Sequence, residues 1–145
     1  MISTRAKSVR QSIKRNSDQA KRLSKQASVL RKRRKQESDR YGKQIERTTN
    51  SAVDIRKRRQ RSSESYANQI LRASSSSTKK RLRQVKKRNS DNYRRQIESL
   101  AKKSKGFRQA RKRNNESYRR RIENLMNKCK SLREKNSRLR ESLRR

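Results

Sequence analysis

The stretch Arg111–Leu143 reads RKRNNESYRRRIENLMNKCKSLREKNSRLRESL. After its basic start, one set of positions recurs in alternating steps of four and three: Tyr118, Ile122, Leu125, Cys129, Leu132, Asn136, Leu139 and Leu143. Such steps put side chains on one narrow stripe of a helix. That stripe suits pairing of two helices rather than the wide apolar face of a globular core. The same grammar occurs upstream. Near the N-terminus it runs Ile2, Ala6, Val9, Ile13, Asn16, Ala20, Leu23, Ala27 and Leu30, and before the quoted stretch it runs Tyr93, Ile97, Leu100, Ser104 and Phe107.

Four tyrosines, Tyr41, Tyr66, Tyr93 and Tyr118, mark an internal repeat with spacings of 25, 27 and 25 residues. Two residues before each is an acid (Asp39, Glu64, Asp91, Glu116), and four residues after each is isoleucine (Ile45, Ile70, Ile97, Ile122). Ser38, Ser63, Ser90 or Asn115 precedes the acid, and a basic run precedes each unit: RKRRK from Arg31, RKRRQR from Arg56, KKR from Lys86 and RKR from Arg111. KRNSDQA from Lys14 reads as a degenerate first copy, with Ala20 in the tyrosine place. Agreement at several positions is the mark of duplication. It fits either a spacer lengthened by repetition or repeated contacts to something acidic. Seven turns in 25 residues is about 3.57 residues per turn, so successive tyrosines return to nearly one face. The central spacing adds two residues, about 200° of rotation. Those residues fall near the serine run Ser74–Thr78, where side chains compete for backbone hydrogen bonds and a hinge is expected.

Composition points the same way. The 145 residues carry 49 Lys and Arg against 12 Asp and Glu, a formal charge of +37, and only 25% are hydrophobic. Too little apolar surface is available to offset the ordering entropy of a compact domain. With no proline and two glycines, the chain reads as helical segments that are weak alone and ordered by a partner. Such a charge seeks a polyanion: nucleic acid first, an anionic membrane or acidic protein less often. No stretch approaches a membrane-spanning length of about 20 apolar residues. The N-terminal MISTRAKSVRQSI lacks a signal-peptide core, although its Arg- and Ser-rich start also suits an organelle transit peptide. RKRR at Arg31–Arg34 and Arg56–Arg59 reads as nuclear import signals or phosphate patches, and the expected location is the nucleus.

Arg111–Leu143 resembles a basic leucine zipper, the bZIP class of transcription factors. The words that carry the likeness are RKRNNES and SLREKNSRL, with leucines at Leu125, Leu132 and Leu139. Asn114 precedes Leu132 by eighteen residues, the family's spacing from its signature asparagine to the first zipper leucine. The resemblance implies a basic helix in the major groove and a zipper holding two such helices together. On that reading Arg111, Lys112, Arg113, Arg119, Arg120 and Arg121 grip phosphates, and Asn114 bonds a base edge. Leu125, Cys129, Leu132, Asn136, Leu139 and Leu143 form the dimerisation seam, with Asn136 fixing register. The chain departs from the family at Ile122, where an arginine is usual, and at Tyr118, where a small residue is usual. RKRNNESYRRRI and KKRNSDNYRRQI are also similar to the tandem DNA-binding repeats called STPR.

In a parallel homodimer Lys128 faces Arg133 of the other chain, and Lys135 faces Arg140. Like charges there oppose self-pairing. A heterodimer with an acidic zipper, or a dimer formed on DNA, is therefore expected. Cys129 is either a small packing residue or an interchain disulfide former. The tyrosines either fill the stripe or stack on unpaired bases. Ser62 and Ser63, after a basic run, are either polar filler or kinase substrates. An enzyme is not expected: the chain has no histidine and one cysteine, and no glycine-rich phosphate loop. No cofactor, metal or small-molecule substrate is implied.

The expectation is thus an all-α protein of extended helices and coiled coil, partly disordered without a partner. Its segments are an amphipathic basic helix over 1–30, two basic repeats over 31–73, a serine-rich hinge at 74–78, a third full repeat over 79–107 and the zipper-like segment over 108–145. The leading function is a bZIP-like transcription regulator on DNA. One alternative is packaging of DNA or RNA without sequence reading. The other is a coiled-coil scaffold for acidic partners. Clusters 25 residues apart would sit about 37 Å apart on a helix, near the DNA helical repeat.

Overall fold

The structure, a computed structural model, describes residues 3–145. It contains two α-helices, α1 (Thr4–Arg72) and α2 (Ser76–Arg144), and no strand among the described residues. The fold is all-α, as the stripes require. Ile2, first member of the N-terminal stripe, lies outside the described residues.

Each helix runs for 69 residues, several times the ordinary length. Nothing in the sequence stops them earlier, since proline is absent and the apolar stripe hardly lapses. Both starts are capped by serine, whose side-chain oxygen satisfies an N–H that has no helical partner. Ser3 Oγ accepts from the Ala6 N–H at 3.1 Å, and Ser75 Oγ accepts from the Thr78 N–H at 3.1 Å. The helices are interrupted at Ala73, Ser74 and Ser75. Ser76, Ser77 and Thr78, expected in the hinge, instead form the first turn of α2. The cap at Ser75 makes that turn a favourable place for them.

Contacts divide the chain into two units, one joining the residues up to Ser38 with Lys112–Arg145, the other comprising Asp39–Arg111. In the first unit, α1 and α2 residues meet in antiparallel order. Asn136 bonds the Ile13 carbonyl oxygen, Cys129 bonds that of Ala20, and Tyr118 bonds Glu37. Its core is Ala27, Leu30, Tyr118 and Ile122, with Leu125 and Met126 packed against it. Small residues let the helices approach: Ala27 and Cys129 are fully buried and Ala20 nearly so. Beside Ala27 the cluster is filled by the large α2 side chains Tyr118 and Ile122, whereas Ala20 meets the small Cys129.

The second unit pairs in the same antiparallel sense with a thinner core. Ala52 is its one buried apolar residue among those described, accompanied by buried Thr48 and Ser104. Thr48 Oγ1 donates back to the Gln44 carbonyl oxygen at 2.7 Å, one turn earlier. Between the helices, Arg59 Nε donates to Ser90 Oγ at 3.0 Å and Asn89 Nδ2 donates to Tyr66 Oη at 3.2 Å. Polar side chains carry much of the pairing that apolar area does not supply.

Candidate nucleic-acid interface

The cations sort by their angle to the seam. In the first unit Tyr118 and Ile122 are buried, one helical turn apart. Lys112, Arg113, Arg119, Arg120 and Arg121 lie off that stripe and are exposed. On α1 the run Arg31–Lys35 follows buried Leu30, and Arg31, Lys32 and Arg33 are exposed. Arg33 and Arg121 reach one groove from opposite helices, so the two basic runs flank the same stretch of seam. Arg121 also lies over the Tyr118 ring, 5.4 Å from its centroid, within cation–π range.

The second unit repeats this arrangement. Arg56, Lys57 and Arg58 are exposed on α1, and Arg94 and Arg95 are exposed on α2. Arg59, the next residue of the α1 run, bonds Ser90 on α2. Arg111 also belongs to this unit and is half-buried, its guanidinium 3.7 Å from where a Cβ on Gly42 would sit. Arg94 lies near Asp91 at 3.9 Å and Glu98 at 3.8 Å, exposed pairs of small energy. With 12 carboxylates for 49 cations, the unbalanced charge must be met by solvent ions or a polyanion.

Asn114 does not join the exposed cations. It stands four residues before Tyr118, so both point to the seam. Its Nδ2 donates to Glu37 Oε2, while Tyr118 Oη donates to Glu37 Oε1 at 2.9 Å. Glu37 thus accepts two hydrogen bonds from α2. The bond to Glu37 raises the Tyr118 pKa above its ordinary 10.0; burial and the Glu37 charge add to this, while Arg121 and Arg33 oppose it. The phenol is held as a protonated donor. The departures from the bZIP pattern have a physical basis here, since Tyr118 and Ile122 are core residues of this pair.

The seam residues face the chain's own N-terminal segment. Cys129 Sγ donates to the Ala20 carbonyl oxygen at 3.3 Å. Asn136 Oδ1 accepts from Asn16 Nδ2 at 3.0 Å, and its own Nδ2 donates to the Ile13 carbonyl oxygen and to Ser17 Oγ, each at 3.1 Å. Leu125, Leu132 and Leu139 are half-buried, and Leu143 is exposed. In this structure, then, the stripe assigned to a second chain is covered from within. The antiparallel order does not set Lys128 against Arg133 or Lys135 against Arg140, the pairs that a parallel homodimer would oppose. Tyr41, Tyr66 and Tyr93 are half-buried and Tyr118 buried, the seam position rather than an open stacking face. Ser62 and Ser63 are half-buried too.

Sequence patterning alone does not single out Glu37, nor the role of Asn16 as a partner of Asn136. Their signal lies in the repeat: Glu37, Ser62, Asn89 and Asn114 each stand four residues before a repeat tyrosine, and Asn16 stands four before Ala20. Position four before a seam residue is itself near the seam. Four of these five positions make a bond between the helices: Glu37 with Asn114, Asn89 with Tyr66, and Asn16 with Asn136.

Among the described residues no group of His, Cys, Asp or Glu could hold a metal ion, and no helix is long and apolar enough to cross a membrane. Comparison with family models, with curated proteins and with solved structures gives no match for this chain.

Proposed function

We propose that this protein binds nucleic acid through its phosphates without reading base sequence. The reading takes DNA as the partner, with RNA as the alternative because it presents the same kind of backbone charge. The observation that carries this reading is the sorting within Lys112–Arg121. Its exposed cations face outward, while Asn114, the residue suited to a base edge, is bonded to Glu37. Cations that reach phosphates supply affinity and no sequence information. A bZIP-like reader would first have to separate residues 112–145 from the N-terminal segment and release Asn114.

The test is an anisotropy titration of the full chain against a random-sequence duplex pool, with selection of bound molecules and a salt series. The expected result is steep salt dependence with no enriched motif. Substituting Arg119, Arg120 and Arg121 together by glutamine should shallow the log–log slope by about 2–3, near one unit for each phosphate no longer neutralised. An enriched motif that disappears in Asn114→Ala would replace this reading with the sequence-specific one.

A further inference from the structure

Two helices cannot enclose a core, and the first unit leaves its seam open on one side. The opening is a groove of about 610 Å³ between α1 and α2. Its floor includes Val29, Leu30 and Leu125, and its walls include Lys25, Arg33 and Arg121. Val29 is 48% exposed, although it adjoins the buried Leu30. No carboxylate lines the groove. Val29 and Arg33 are one turn apart on α1, as are Arg121 and Leu125 on α2, so apolar and cationic positions alternate along it at helical spacing.

From this geometry we infer that the groove docks an acidic amphipathic helix of a partner protein as the third helix of the unit. Its apolar stripe lies on Val29, Leu30 and Leu125, and its flanking carboxylates meet Lys25, Arg33 and Arg121. Helix-in-groove recognition of this kind takes anchors at spacings of three and four residues. Charge selects the occupant. A second copy of this chain brings another +37 to a groove without carboxylates and is repelled. An acidic helix gains both the apolar burial and the charge match. Because Arg33 and Arg121 are shared, the docked helix competes with nucleic acid on this edge but not at Arg119 and Arg120.

The test uses the full chain and a labelled synthetic helix with leucine at a/d positions and glutamate elsewhere, beside a peptide of identical composition with its leucines shuffled. The patterned peptide should bind about tenfold more tightly than the shuffled one. Val29→Gln, at a half-exposed site that the fold does not depend on, should weaken the patterned peptide about fivefold, as expected for a partly buried valine. The same variant should leave the shuffled peptide and duplex DNA unchanged. Arg119→Gln with Arg120→Gln should do the reverse, weakening DNA and sparing the patterned peptide, so failure of either reading is separately visible. Equal binding of the two peptides, or no effect of Val29→Gln, overturns the proposal. Displacement of the patterned peptide by vesicles of anionic lipid at matched charge, but not by DNA, makes the occupant an acyl chain and overturns the helix.

Discussion

The Tyr118 phenol donates to the Glu37 carboxylate at 2.9 Å across 81 residues of sequence, and Asn114 donates to the other oxygen of the same carboxylate. One acceptor on α1 thus satisfies two donors on α2 in a chain otherwise dominated by positive charge. Glu37→Ala should destabilise the pairing of residues 3–38 with 112–145 by about 1–3 kcal/mol, since it strands both donors. Glu37→Gln keeps one acceptor and should lose less. Denaturation of the three proteins, followed by helical circular dichroism, gives the order. Equal stability of Glu37→Ala and the parent would remove Glu37 from the register device.

The same contact has a signature in alkali. Tyr118 has a pKa raised above 10.0, first through the bond to Glu37. For a group whose folded pKa exceeds its unfolded value, the stabilisation is present below the unfolded pKa and disappears as pH rises through the folded one. Stability from this bond should therefore be constant across neutral pH and fall only above about pH 10. Phenolate absorbance should contain a late-ionising step from Tyr118, and Tyr118→Phe should abolish it. A late step that persists in Tyr118→Phe would contradict the assignment.

Asn136 uses its whole amide: Oδ1 accepts from Asn16, and Nδ2 reaches both Ile13 and Ser17, at 4% exposure. A buried asparagine of this kind costs stability and specifies alignment. Asn136→Ala should lose about 1–3 kcal/mol by stranding the Asn16 amide. Asn136→Leu strands the same amide but adds apolar contact, so it should lose less than Asn136→Ala while admitting other registers and oligomers. Sedimentation should then show mixed species for Asn136→Leu at high salt and one species for the parent. A single species in both would show that other layers suffice.

How much of this was legible follows from where each signal lies. The four–three steps through Tyr118, Ile122 and Cys129 disclose the seam, because burial depends on angle around the helix, which sequence spacing gives directly. The serine run at Ser74–Thr78 discloses the break to within a residue or two, the usual uncertainty of helix ends. Spacing along one helix contains nothing about which helix covers it. The antiparallel order comes from Glu37 meeting Asn114 and Asn16 meeting Asn136, pairings between distant positions. Asn114 shows the cost of that gap. Its place relative to Leu132 suggests a base contact, whereas its place relative to Tyr118 puts it in the seam, and only the partner on α1 decides between them.

Cys129 is fully buried, and its thiol donates to the Ala20 carbonyl oxygen at 3.3 Å. The thiolate is the reactive form, and this site offers neither access nor an alternative partner. Modification by a thiol reagent should therefore wait for opening of the pair and proceed far more slowly than in denaturant. It should accelerate in Glu37→Ala, which loosens the pairing elsewhere in the same unit. Non-reducing electrophoresis after mild oxidation should show monomer for the parent. A disulfide-linked dimer formed at the rate of a free surface thiol would mean that residues 112–145 leave the N-terminal segment readily and meet a second chain. Substitution provides an independent check on the packing. Cys129→Ala keeps a small residue opposite Ala20 and should cost about 1 kcal/mol or less, whereas Cys129→Leu forces extra volume between closely spaced helices and should cost about 1–3 kcal/mol.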